Sequence, residues 1–181
     1  MRVLRFAVGA LAAFLSSACL VVSLQPVYEP GTIAFDPALL GSWASADDDV
    51  TLVIERGEWH SYHVIASQRN DRYRLSARLT RVGTGLYLDV TPLDGTDLPA
   101  LTLAVHGLCR LVLTEEGMTL AALNYEAFEQ KARAGGHELP MVVDARRNVV
   151  MTSSTADLRR WLALHADDEG VFDAPTPFTR R

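Results

Sequence analysis

Several groups of side chains in this 181-residue chain are of the types that carry chemistry. His60 and His63 flank Ser61 and Tyr62, and paired imidazoles commonly ligate transition metals. On a strand, residues three apart point to opposite faces, and Trp59, Tyr62, Val64 and Ile65 favour a strand here. No nearby cysteine or H-E-x-x-H helix supports a zinc centre. Asp47-Asp48-Asp49 and Asp94-Gly95-Thr96-Asp97 offer oxygen ligands for a hard cation such as calcium. Neither has the ligand spacing of an EF-hand loop, so both read as solvated acidic turns.

Nucleophilic chemistry has no local signature. A Ser/His/Asp relay assembles from distant positions and leaves no linear trace, but the nucleophile elbow G-x-S-x-G is missing, as are G-x-G-x-x-G and Walker loops. Cys109 lies in the apolar pattern Leu108-Cys109-Arg110-Leu111-Val112-Leu113 and reads as a buried, inert thiol. The expectation is therefore a protein with no catalytic residue, no cofactor and no metal. Arg72, Arg74 and Arg78 share one side of a strand whose other side is Tyr73, Leu75, Ala77 and Leu79. That arginine face is a solvated outer wall or a partner surface for an anion: a lipid headgroup, lipopolysaccharide or an acidic protein patch. Seventeen Lys+Arg against 22 Asp+Glu gives a net charge of −5. This balance argues against nucleic acid, whose phosphates need a basic face.

Residues 1–18, MRVLRFAVGALAAFLSSA, have the form of a signal peptide. Arg2 and Arg5 make the positive region, Phe6 to Leu15 the apolar region, and Ser16 and Ala18 the small residues before a cut. Cys19 then stands where bacterial lipoproteins carry diacylglycerol, with Leu15 one place earlier than in the usual Leu-small-small-Cys pattern. Lipidation of Cys19 is the leading expectation, which places the protein on the periplasmic side of the bacterial envelope, held to a membrane. Simple secretion and an uncleaved anchor over Phe6 to Val22 are the alternatives. Were Cys19 free, a disulfide with Cys109 would be open to it in an oxidising compartment.

The elements that position these groups are mostly strands. Residues 19–38, with Pro26, Pro30, Gly31 and Pro37, read as an extended tether. Residues 39–170 form a single β-barrel-like domain. From residue 50 to 123 apolar residues recur with a period of two, and turn residues interrupt them every 10–15 positions. Such short connections make hairpins and exclude parallel crossovers. One helix is expected over residues 125–134, capped by Asn124 and ended by Gly135-Gly136, and a second over 155–166, capped by Ser154. A hairpin turning at Arg146-Arg147-Asn148 lies between them. The acids of His165-Ala166-Asp167-Asp168-Glu169 oppose the helix dipole and mark either a contact surface or a helix stop. Residues 171–181, with Pro175 and Pro177, read as a flexible tail. The fold class is mainly β with two helices. Its antiparallel meander should curl into a small closed barrel or half-barrel, since closure removes sticky edges; a two-sheet sandwich is the alternative.

Leu39-Leu40-Gly41-Ser42-Trp43, just before the meander, resembles the Gly-x-Trp start of lipocalin-like barrels. That resemblance gives Gly41 and Trp43 structural roles. The tryptophan plugs a closed end and an arginine from a late strand packs across it, a place for Arg146 or Arg147. A longer resemblance joins Leu24-Gln25-Pro26-x-Tyr28, Asp36 to Trp43, Leu123-Asn124-Tyr125 and His165 to Glu169 with Phe172. These look like a group of uncharacterised bacterial envelope lipoproteins. The resemblance implies location and fold but no activity. The functional expectation is a non-enzymatic module that binds a small apolar ligand or an envelope protein. An accessory subunit of an envelope complex and a hydrolase with dispersed residues are the alternatives.

Overall fold

The computed structural model describes residues 20–45, 49–93, 104–135 and 138–181. The expected signal peptide and Cys19 lie outside these residues, as do Asp47, Asp48 and the Asp94-Gly95-Thr96-Asp97 turn.

The chain begins with two short strands, β1 (Val21–Ser23) and β2 (Ile33–Ala34). A meander of longer strands follows: β3 (Gly41–Ser45), β4 (Val50–Arg56), β5 (Ser61–Gln68), β6 (Asp71–Val82), β7 (Gly85–Pro92), β8 (His106–Leu113) and β9 (Gly117–Ala122). Next come α1 (Tyr125–Ala134), the hairpin of β10 (Met141–Val143) and β11 (Val149–Met151), α2 (Thr155–His165) and β12 (Thr176–Arg180). Both helices start where their caps require. Asn124 Oδ1 accepts from the Ala127 amide at 2.8 Å, and Ser154 Oγ accepts from the Asp157 amide at 3.2 Å. Each satisfies an amide that the first helical turn cannot.

Strands β3 to β9 pair antiparallel with their chain neighbours, and β12 bonds to both β9 and β3. The result is a closed eight-stranded antiparallel barrel of the small lipocalin-like kind. The two-residue period fills it: Leu52 and Ile54, Val64 and Ala66, Ala77 and Leu79, and Leu111 and Leu120 are all buried in one cluster. Outside the wall lies a second core. There Tyr87 and Leu108 point out of β7 and β8 and meet Val27, Phe128 of α1, Met151, and Leu158 and Leu162 of α2. Apolar residues on both faces of β7 and β8 thus serve two cores rather than breaking the alternation.

Two segments depart from the sequence reading. The expected tether is fixed structure: β1 pairs with β8 and with β11, Val27 is 1% exposed, and β2 pairs with β6. Its prolines suppress periodicity, but non-local pairing holds it. The expected flexible tail is the closing stave of the barrel. Phe178 is 1% exposed and pairs with Met118 on one side and Ser45 on the other. Pro177 sits where pairing to β3 has not begun, the edge-like position a proline tolerates.

Trp43 is buried, and its Nε1 donates to the Leu39 carbonyl at 2.9 Å. The arginine across it is Arg180, whose guanidinium lies 4.6 Å from the ring centroid and donates to the carbonyls of Leu40 and Ala38. Arg146 and Arg147 do not fill this place. They lie at the β10–β11 turn, where Arg147 bonds Glu129 of α1 at 3.1 Å. Gly41 has φ 129°, a backbone conformation that favours glycine, and a Cβ there would also crowd Arg180 Nη1 at 2.9 Å and displace the guanidinium. Leu39, fully buried on a short 3-10 turn, completes the closed end. Replacing Trp43 by Ala removes a buried ring and leaves a void; chemical denaturation should show a loss of about 3–5 kcal/mol.

Candidate functional site

Away from the Trp43 plug, the described residues leave part of the barrel interior unfilled. A cavity of about 300 Å³ extends towards the end where β6 starts and β7 finishes. Its wall is aliphatic: Leu52 and Ile54 of β4, Val64 and Ala66 of β5, Leu75 and Ala77 of β6, and Leu88 and Val90 of β7. Small residues open the space, since Ala66, Ala77 and Gly107 stand where larger side chains would meet across the barrel. Arg72, Tyr73, Arg74 and Pro92 border it at that end. The volume stands at the lower end of ligand sites, which run from about 300 to 1,000 Å³.

Leu20 and Val22 also line the cavity. Strand β8 pairs with β9 only from Cys109 onward, and at Gly107 and His106 its partner is β1. The first described residues therefore form part of the wall. Nothing in the sequence pattern of residues 19–38 announces this, because the pairing is set by a strand more than eighty positions away.

Cys109 faces the cavity and is 2% exposed. Burial, helped by the charge of Asp89, pushes its thiol up to about 12. A thiol without thiolate character is a poor nucleophile.

Buried Asp89 is the other polar feature of this region. Its Oδ2 accepts from the Val27 amide at 2.8 Å, and its Oδ1 lies 2.6 Å from His106 Nδ1. An Asp–His pair is the orienting half of a hydrolytic relay, and the strand partner of His106 is Ser23. Yet Ser23 is 2% exposed and its Oγ accepts from the Gln25 amide at 3.1 Å. The pair acts as a clasp that holds the N-terminal segment against β7.

The three arginines of β6 do not share one surroundings. Arg72 and Arg74 are exposed at the cavity end, whereas Arg78 is half-buried with its guanidinium 5.0 Å from the Tyr28 ring centroid. His63 is exposed on the outer face of β5. His60 lies in the preceding turn rather than on the strand, in left-handed backbone with Trp59. Among the described residues, no group of three or more His, Cys, Asp or Glu side chains could hold a metal ion.

The acids after α2 are engaged internally. Arg110 donates to Asp167 at 2.6 Å and to the Ala166 carbonyl at 3.0 Å, fastening the helix end to β8. His165 lies 2.8 Å from Asp168 and 3.0 Å from Glu138 beside a hollow floored by Phe128 and Trp161. The hydrogen bond that His165 donates to Asp168, reinforced by the charge of Glu138, raises the His165 pKa above its usual 6.5.

No protein-family model, no curated protein and no solved structure matches this chain. Its class rests on its own architecture: a small antiparallel barrel, plugged at one end and hollow towards the other.

Two measurements check these assignments. Iodoacetamide at about pH 8 should label native Cys109 roughly a thousandfold more slowly than an exposed thiol, and denaturation should restore the rate. A raised histidine pKa stabilises the fold below the unfolded value, and the contribution disappears as pH rises through the folded value. The stability advantage of the native chain over His165→Gln should therefore be full below about pH 6.5 and fade in more alkaline buffer, as read by thermal unfolding.

Proposed function

We propose that this protein is an exported, lipid-anchored envelope protein whose barrel binds one small apolar ligand without catalysing a reaction. The observation that carries this reading is the aliphatic cavity of about 300 Å³ inside the barrel. Barrels of about eight strands are either filled by side chains or hold one small ligand, and this one keeps a hollow. Among the described residues, polar groups do not converge inside it: the nearby Asp–His pair is spent on the N-terminal segment, and burial pushes the Cys109 thiol up. The export signal at 1–18 and the cysteine that follows it support the envelope location and the acyl anchor on Cys19. The resemblance of the Gly41–Trp43 start and its arginine to lipocalin-like barrels agrees with a carrier role.

A second reading, an accessory subunit of an envelope complex, draws on Trp59. Its side chain is 87% exposed at the tip of the β4–β5 hairpin, on a left-handed backbone that costs a non-glycine residue energy. An exposed tryptophan is a common centre of protein–protein contacts.

Mass spectrometry on protein purified from its own membranes tests the main reading. The denatured chain should carry the mass of an acylated Cys19, and the native protein should carry a bound apolar compound. Ala77→Phe, which places a ring in the hollow, should abolish the bound mass while the protein still folds. An empty native protein that also fails to bind a naphthylamine probe would remove the carrier role.

A further inference from the structure

The sheet does not end at the barrel. From β8 it continues outward through β1 and β11 to β10, its last strand. Two main-chain bonds fix the phase of the β10–β11 ladder: the Thr152 amide donates to the Pro140 carbonyl and the Asp144 amide to the Asn148 carbonyl, each at 2.9 Å. Val142 pairs with Val150 between them, so its N–H and C=O point inward to β11. The N–H and C=O of Met141 and Val143 therefore point along the open edge, and none has a partner among the described residues. Pro140 leaves this edge usable, because its missing N–H falls on the β11 side. Met141 and Val143 pack their side chains into the outer core, whereas Val142, on the opposite face, is 55% exposed. Unpaired edge groups beside an exposed β-branched side chain form a template for another strand.

We infer that β10 is the contact surface of a homodimer, in which the β10 strands of two copies pair antiparallel about a two-fold axis at Val142. The phase of the open groups selects this register. Met141 of one copy meets Val143 of the second copy, each N–H facing a C=O, and the two Val142 residues form a non-hydrogen-bonded pair with Cα atoms about 4.5 Å apart. What flanks the edge favours a second copy over an unrelated strand. Val22, Val150 and Val142 stand in one row across β1, β11 and β10, and the axis carries that row into the same row of the second copy. Charge agrees with the symmetry. Glu138 and Arg146 are both exposed and lie equally far from Val142 on its two sides, so the axis sets Glu138 of each copy towards Arg146 of the other. The edge is short, which fits a weak, concentration-dependent dimer. This contact needs neither the cavity nor the acyl anchor.

Cysteine cross-linking of the full-length protein in intact cells tests the pairing. Val142→Cys sets two thiols across the axis within the Cα separation of about 4.4–6.8 Å that a disulfide spans. After oxidation with copper-phenanthroline this variant should run at twice the mass of the chain. Leu164→Cys, on α2 at a side chain 69% exposed, is the comparator and should give severalfold less dimer. In the Val142→Cys background, Glu138→Arg should lower the yield severalfold by setting arginine against arginine, and adding Arg146→Glu should restore it. All of these positions are exposed, so the fold tolerates the changes. Equal yields from Val142→Cys and Leu164→Cys, or a Val142→Cys yield that Glu138→Arg leaves unchanged, would overturn the inference.

Discussion

The barrel exists because β12 returns to lie between β9 and β3. Without it, β3 and β9 would each present an unpaired row of amides and carbonyls, and the sheet would be an open, curled strip. Closure also carries Arg180 to Trp43, so one short strand completes the wall and seals the plugged end. Gly41 suits that seal, since its left-handed φ favours glycine and a side chain there would push the guanidinium aside. The plug in turn frees the opposite end from having to be filled. A barrel made rigid by Trp43, Leu39 and Phe178 can keep a hollow between Ala66, Ala77 and Gly107.

The second core answers a different demand. Strands β7 and β8 also carry apolar residues on their outer faces, Tyr87 and Leu108, which need cover from water. The N-terminal segment, the two helices and the β10–β11 hairpin provide it, with Phe128, Leu158 and Leu162 buried against Tyr87 and Leu108. Asp89 lies on that covered face. Its carboxylate is affordable there because both oxygens are bonded, one to a main-chain amide and one to an imidazole. Such a buried carboxylate fixes register as well as contact, because only one placement of Val27 and His106 satisfies it.

The sequence reading and the structure agree where the signal is local. Alternation across β4 to β7 reads directly from residue types, and both helices start at the caps that Asn124 and Ser154 announce. They disagree where structure comes from distant pairing. Pro26, Pro30, Pro175 and Pro177 suppress the periodic signal, yet β1 and β12 are short strands made by partners far away in the chain, and Pro177 lies within β12. The arginine over Trp43 was not legible: the sequence reading offered Arg146 or Arg147 and put Arg180 in a flexible tail, and only the pairing of β12 with β3 brings Arg180 to the ring. The cavity was equally hidden. Its walls read as ordinary core positions, and a void depends on how side chains meet across the barrel.

Closure by β12 also dictates an order of events. Every hairpin from β3 to β9 comes earlier in the chain than the strand that joins them, and β12 must find β3 across more than 130 intervening residues. Contacts of such long range form slowly, because loop entropy must be overcome before they repay it. A polypeptide emerging from its N-terminal side would therefore remain an unsealed cup, with its apolar lining wet, until this stave arrived.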